Sequence, residues 1–161
     1  MITAREVARY FVSKDDEQKL FTTNLVNLNG RECYEGNVRL NKYLYFAQTV
    51  YIAKFDKVLF LDDFLAFDNG PVIKEIMNSY ASIRGSKNMK INLPDEVKEF
   101  LDKIYKSLEN ATCEELVQIS HEDSAWKELS PNTYNAPVMD LMKYKEKFKK
   151  QYRGIIKVME L

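Results

Sequence analysis

Histidine occurs once in this chain, at His121, and cysteine twice, at Cys33 and Cys113. The cysteines lack motif spacing, so no metal site or disulfide framework is implied and both are expected as free thiols. Glycine and proline are also sparse, five and four residues in 161, and no low-complexity segment divides the chain. Neither sign of charge is in excess: 24 basic residues meet 24 acidic ones, which excludes a general attraction to nucleic acid or to an acidic membrane. No apolar run approaches the ~18 residues of a membrane span. Met1-Ile2-Thr3 leads into a charged helix rather than a signal-peptide core, so a cytoplasmic protein is expected.

What is present is a globular composition, 45% hydrophobic and 30% charged, at a length suited to one domain over residues 1–161. The richest stretch runs from Leu40 to Ser82. On a helix of ~100° per residue, Leu40, Tyr43, Leu44, Phe46, Ala47, Val50, Tyr51 and Phe55 form a broad apolar face. Asn41, Lys42, Gln48 and Thr49 fall on the other side, interrupted by Tyr45 and Ile52. We read this helix as buried all round, the axis of the fold, in preference to a helix with an exposed docking patch.

Around that axis, Thr3 and Glu6 make a capping box for a first helix with Val7, Tyr10 and Phe11 on its apolar stripe, ending near Val12. Residues 18–37 fit strand or helix, and Asn29-Gly30 marks a turn that permits a small hairpin. After the central helix, Val58 to Phe67 is β-prone, and Asn69-Gly70-Pro71 predicts a helix starting at about Pro71. Further helices are expected over Asp95 to Leu108, from the capping box Thr112/Glu115 to His121, and in a short turn carrying Trp126. Asp140 would cap a basic amphipathic terminal helix over about 140–160, with Leu141, Tyr144, Phe148, Tyr152 and Ile155 or Ile156 as its stripe. It carries seven basic residues between Lys143 and Lys157 against Glu146, whereas Asp95 to Asp123 holds nine acids against three lysines. These segments could pair within the fold. The expected class is mainly α: a compact multi-helix domain around the aromatic-rich helix, with at most a small β element.

Catalysis finds no constellation. His121-Glu122-Asp123 is not a metalloprotease motif and no triad partners surround His121, which reads as a cation closing a helix. Asp15-Asp16 and Asp62-Asp63 read as solvated edges, and Gly70-Pro71 lacks the glycine repetition and lysine of a phosphate loop. Catalytic, cofactor and metal residues are therefore expected to be absent. In the terminal helix, Tyr144, Phe148 and Tyr152 recur every four residues and read as core contacts, which argues against nucleic-acid binding.

Two blocks of sequence carry a resemblance. Leu40-Asn41-Lys42-Tyr43-Leu44-Tyr45-Phe46-Ala47-Gln48, with Leu59-Phe60, Asp62 to Phe67, Gly70-Pro71-Val72 and Glu75-Ile76, forms the first. Leu116 to Glu122 followed by Trp126-Lys127 forms the second. In order and spacing they resemble the Panacea, or SocA-like antitoxin, domain over roughly residues 1–129. Residues 18–37 make a longer connection than that family's usual pattern. The resemblance implies an antitoxin of a bacterial or phage toxin-antitoxin system, which neutralises a cognate toxin encoded by an adjacent gene through direct protein binding, without cofactor or turnover. Two other classes stay open: a protease adaptor using the same binding domain, and a DNA-binding regulator using Lys143 to Lys157. For a contact surface we select the turn Phe67-Asp68-Asn69-Gly70, Lys42 and Tyr45 from the central helix, and His121 with Trp126. Leu44, Phe46 and Ala47 read as scaffold.

Overall fold

The computed structural model describes residues 1–160. Helix α1 (Ala4–Lys14) begins at the expected capping box, with Thr3 accepting from the Glu6 amide and the Glu6 side chain returning to the Thr3 amide. The Asp62 carboxylate adds a cap from afar by accepting from the Ala4 amide at 3.0 Å. Past α1 the chain does not run out into solvent. Asp15 is buried and accepts from the amides of Lys19, Leu20 and Phe21, fixing a tight turn in place of the solvated edge expected there. Residues 18–37 then resolve in favour of the hairpin. Strands β1 (Leu25–Leu28) and β2 (Arg31–Tyr34) pair antiparallel, Leu25 with Tyr34 and Leu28 with Arg31, across Asn29-Gly30, both at positive φ.

The axial helix α2 (Glu35–Phe55) starts five residues before Leu40. Tyr45 and Ile52 are fully buried, as is fitting for a helix enclosed on all sides. The polar side is enclosed as well: Asn41, Lys42, Gln48 and Thr49 are buried. Each has a partner from outside its own turn of helix, such as Gln48, which donates to the Phe60 carbonyl and accepts from the Leu59 amide. Phe55, placed on the apolar face by periodicity, is instead exposed at the helix end.

Pro71 does not open a helix. Strands β3 (Leu65–Phe67) and β4 (Gly70–Val72) form a second antiparallel hairpin, with Pro71 opposite Ala66. Ala66 bonds outward, its amide to the Pro137 carbonyl and its carbonyl to the Asn132 amide, so no donor is required of Pro71. Helices α3 (Lys74–Asn78) and α4 (Tyr80–Gly85) follow, the first starting three residues later than predicted. Helices α5 (Asp95–Leu108), α6 (Cys113–His121) and α7 (Ser124–Lys127) match their predicted bounds, and Thr112 and Glu115 make the second capping box.

The terminal basic segment is not one helix. A 3₁₀ turn (Met142–Tyr144), α8 (Lys145–Gln151) and α9 (Arg153–Val158) are separated at Tyr152, where φ is −98° and ψ is 5°. Its apolar stripe is buried from Leu141 to Tyr152, while Ile155 turns outward. Its lysines pair with neither α5 nor α6: Lys145 and Lys149 reach Asp56, and Lys147 reaches Glu128. One apolar core contains residues from α1, α2, the β3 strand and α3 to α8, so the fold is mainly α with two small hairpins around a central aromatic helix. No described helix is long and apolar enough to cross a membrane.

Candidate partner-binding face

The turn between β3 and β4 is the point where the selected residues converge. Its residues Asp68 and Asn69 protrude because Gly70 takes a φ of +107° that reverses the chain at once. A side chain at Gly70 would be strained by that angle, and its Cβ would also lie 2.6 Å from Ser120 Oγ and 2.7 Å from Lys42 Cε. The turn is therefore seated directly on α2 and α6.

Three supports hold it. From the β1–β2 hairpin tip, Asn29 Nδ2 donates to Asn69 Oδ1 at 2.7 Å, and Asn69 Nδ2 donates to the Leu28 carbonyl at 3.3 Å. On the opposite side the Asp68 amide donates to Thr133 Oγ1 at 3.1 Å. Beneath, Trp126 Nε1 donates to the Phe67 carbonyl at 2.8 Å, and the indole is stacked on the His121 ring at 4.0 Å and 5°. The arrangement leaves the Asp68 side chain exposed at the apex, with Phe67, Asn69, His121 and Trp126 half-buried around it. Tyr134, 92% exposed, continues the face, with the Arg31 guanidinium 5.7 Å from its ring centre.

His121 does not act as a helix-closing cation. Burial and the nearby charge of Lys42 hold its pKa below the usual histidine range, and its Nε2 is buried without a hydrogen bond to protein. A neutral imidazole flat against Trp126 is a packing piece that orients the indole.

Lys42 and Tyr45 leave the surface set. Lys42 is 1% exposed and Tyr45 fully buried, so neither belongs to the outer surface of this face. Lys42 Nζ donates to the Pro71 carbonyl at 3.0 Å and supports the turn from below. Tyr45 points elsewhere: its hydroxyl donates to Asp123 Oδ2 at 2.7 Å, and Gln151 Nε2 donates to the other oxygen at 3.0 Å. Burial pushes the Asp123 carboxyl up from its ordinary value even with these two donors. Seven of the eight selected residues thus sit at or under one turn, and Tyr45 belongs to a separate polar tie between α2, α7 and α8. Local reading missed Asn29, Arg31, Thr133 and Tyr134; Asn29-Gly30 at least announced a hairpin tip, while nothing near Thr133 points to its role.

Among the described residues no group of three or more His, Cys, Asp or Glu side chains is placed to hold a metal, and both cysteines are free. Comparison with protein families matches residues 40–127, more than half of the 161, to the family described as antitoxin SocA-like, Panacea domain. No curated protein and no solved structure matches the chain. The family match spans the β3–β4 turn and the His121–Trp126 stack, and leaves the β1–β2 hairpin, Thr133 and α8 outside it. The chain belongs to the SocA-like antitoxin family, with the Panacea domain at its centre.

Proposed function

We propose that this protein is an antitoxin that binds a cognate protein toxin directly and masks its working surface. The family match over residues 40–127 carries this reading. The turn face supports it: a braced apex with an exposed carboxylate, a half-buried Trp and a flanking Arg has the composition of a contact hot spot, where aromatic anchors and Arg dominate. Because the braces fix the backbone before contact, little conformational entropy is lost on binding. The partner is a cytoplasmic protein of bacterial or phage origin, encoded beside this one, and nothing is turned over.

The DNA-binding alternative loses its support from the terminal segment. Tyr144, Phe148 and Tyr152 are buried, and Lys145, Lys147 and Lys149 already face carboxylates. The test is co-expression: each neighbouring gene product is induced with and without this protein, and complexes are recovered. Rescue of growth with a stable complex supports the reading. Rescue that disappears when host proteases are inactivated supports an adaptor instead, and absence of both toxicity and complex removes the antitoxin reading.

A further inference from the structure

Behind the turn, between β2, the first half of α2 and β4, lies a cavity of about 220 Å³. Val38, Phe67, Val72 and Met77 supply apolar wall. The three amides there are committed to the fold: Asn41 donates to Asn37 and accepts from the Ile73 amide, Asn37 donates to the Met77 carbonyl, and Asn69 accepts from Asn29 and donates to the Leu28 carbonyl. Lys42 also lines the cavity and is different. Its ammonium has three donors and a single bond, to the Pro71 carbonyl, at a site 1% exposed.

No carboxylate pairs with Lys42 among the described residues. The groups that face it are Cys33 from β2, Cys113 and the neutral His121 from α6, with Arg31 and Glu32 lining the same cavity. Burial holds both thiols above their ordinary pKa, Cys113 at about 11, so neither supplies a negative charge near neutral pH. Burial lowers Lys42 itself to about 8, which leaves it charged at pH 7. A buried cation without a counter-charge is costly, and one that borders a cavity is placed to receive an anion.

We propose that this cavity binds a carboxylate, with Lys42 Nζ as its ion-pair partner and the apolar wall holding a short hydrocarbon body. The volume suits that class, since a ~150 Å³ cavity already admits benzene. The carboxylate could belong to a free small acid or to an acidic side chain of a bound protein, and the inference stands independently of the antitoxin reading. Affinity should be level from pH 6 to the Lys42 pKa of about 8 and fall beyond it, by about tenfold per pH unit, as the ammonium is lost.

The test uses the purified protein, with benzoate, its neutral isostere benzamide, and inorganic phosphate as probes at millimolar concentration. Binding is read from the Lys42 ¹³Cε resonance and from thermal melting. Benzoate should saturate, raise the pH at which Lys42 titrates and raise the melting temperature, while benzamide does neither. In Lys42→Met, checked as folded by its own melting transition, the benzoate affinity should drop at least about tenfold. Equal responses to benzoate and benzamide, unchanged benzoate binding in Lys42→Met, or a Lys42 resonance that no acid moves would each overturn the proposal; a response to phosphate equal to that to benzoate would overturn its carboxylate class. Competition by acetyl-Gly-Glu-Gly-amide, whose one carboxylate is a side chain, assigns the site to a protein-borne acid. Benzoate binding without that competition assigns it to a free one.

Discussion

The two halves of α2 bury comparable numbers of polar side chains and treat them differently. Toward the C-terminal end, Gln48 spends both ends of its amide on the Leu59–Phe60 backbone, and Thr49 shares a hydrogen bond with the Tyr152 hydroxyl at 3.0 Å. Toward the N-terminal end, Lys42 has one bond for three donors, and Arg39 Nε and Tyr43 Oη have none. A saturated buried group specifies which segments meet, because any other arrangement strands it. An unsaturated one does that poorly and costs stability, so its position calls for a different explanation. Here Gln48 and Thr49 fix the core, and of the unsaturated groups Lys42 underlies the turn face and borders the cavity.

The largest test of that contrast is Gln48→Leu. The substitution keeps the volume but strands the Leu59 amide and the Phe60 carbonyl in the core, and should cost about 2–5 kcal/mol. Urea unfolding measures it; a loss below ~1 kcal/mol would mean that the saturated end is not specifying the fold.

Lys42→Met should act in the opposite direction. The Lys42 pKa is about 8 in the fold against an ordinary 10.5, so the unfolded chain binds more protons between these values and stability rises with pH there. Below pH 8 the full penalty is present, about 3 kcal/mol for a difference of that size. Set against the lost bond to Pro71, the Met variant should be more stable than wild type by about 2 kcal/mol at pH 7. That advantage should shrink between pH 8 and 10, a comparison between the two proteins that cancels the raised tyrosine pKa values common to both. A Met variant less stable than wild type at pH 7 would return Lys42 to the scaffold.

Tyr45→Phe should cost about 1–2 kcal/mol, since it removes one of two donors to a buried carboxylate. Asp123 already has a raised pKa, so the fold holds its proton at a pH where the unfolded chain has lost it. Stability from this group is present below the unfolded value and is lost as pH rises through the folded one. Without the tyrosine donor the folded pKa should move higher still, and the variant's deficit should be larger at pH 7 than at pH 4. Equal deficits at the two values would mean that Asp123 does not feel the hydroxyl.

Sequence reached the elements whose boundaries are written locally. Thr3 with Glu6 and Thr112 with Glu115 announce α1 and α6, and Pro94 followed by Asp95-Glu96 announces α5. It missed where local preference is overridden by a distant partner. Pro71 suits a first helical turn, yet Ala66 and the loop to Pro137 draw it into a strand. Asn41, Lys42, Gln48 and Thr49 are visible as a polar side in a window of residues, whereas their partners lie up to 103 positions away. The candidate face divides along the same line. Asn69-Gly70 signals its own turn, while Thr133, Arg31 and the cavity wall depend on segments that only the folded chain brings together.

Asp68 makes the finest test, because it separates surface from scaffold at a single turn. Its amide is tied to Thr133, but its side chain is exposed and takes part in none of the braces around it. Asp68→Arg should therefore change stability by less than about 0.5 kcal/mol, the usual range for an exposed site. If the turn is the contact surface, reversing the charge at its apex should weaken recovery of the partner complex by roughly tenfold or more, because like charges brought together at an interface are strongly unfavourable. Asn69→Ala, which removes two braces and no surface charge, supplies the control: it should loosen the turn and weaken the complex less than the charge reversal does. If Asn69→Ala weakens the complex more than Asp68→Arg, then the rigidity of the turn matters more than its charge; if Asp68→Arg leaves the complex intact, the partner binds another face and the convergence of these residues is a matter of folding alone.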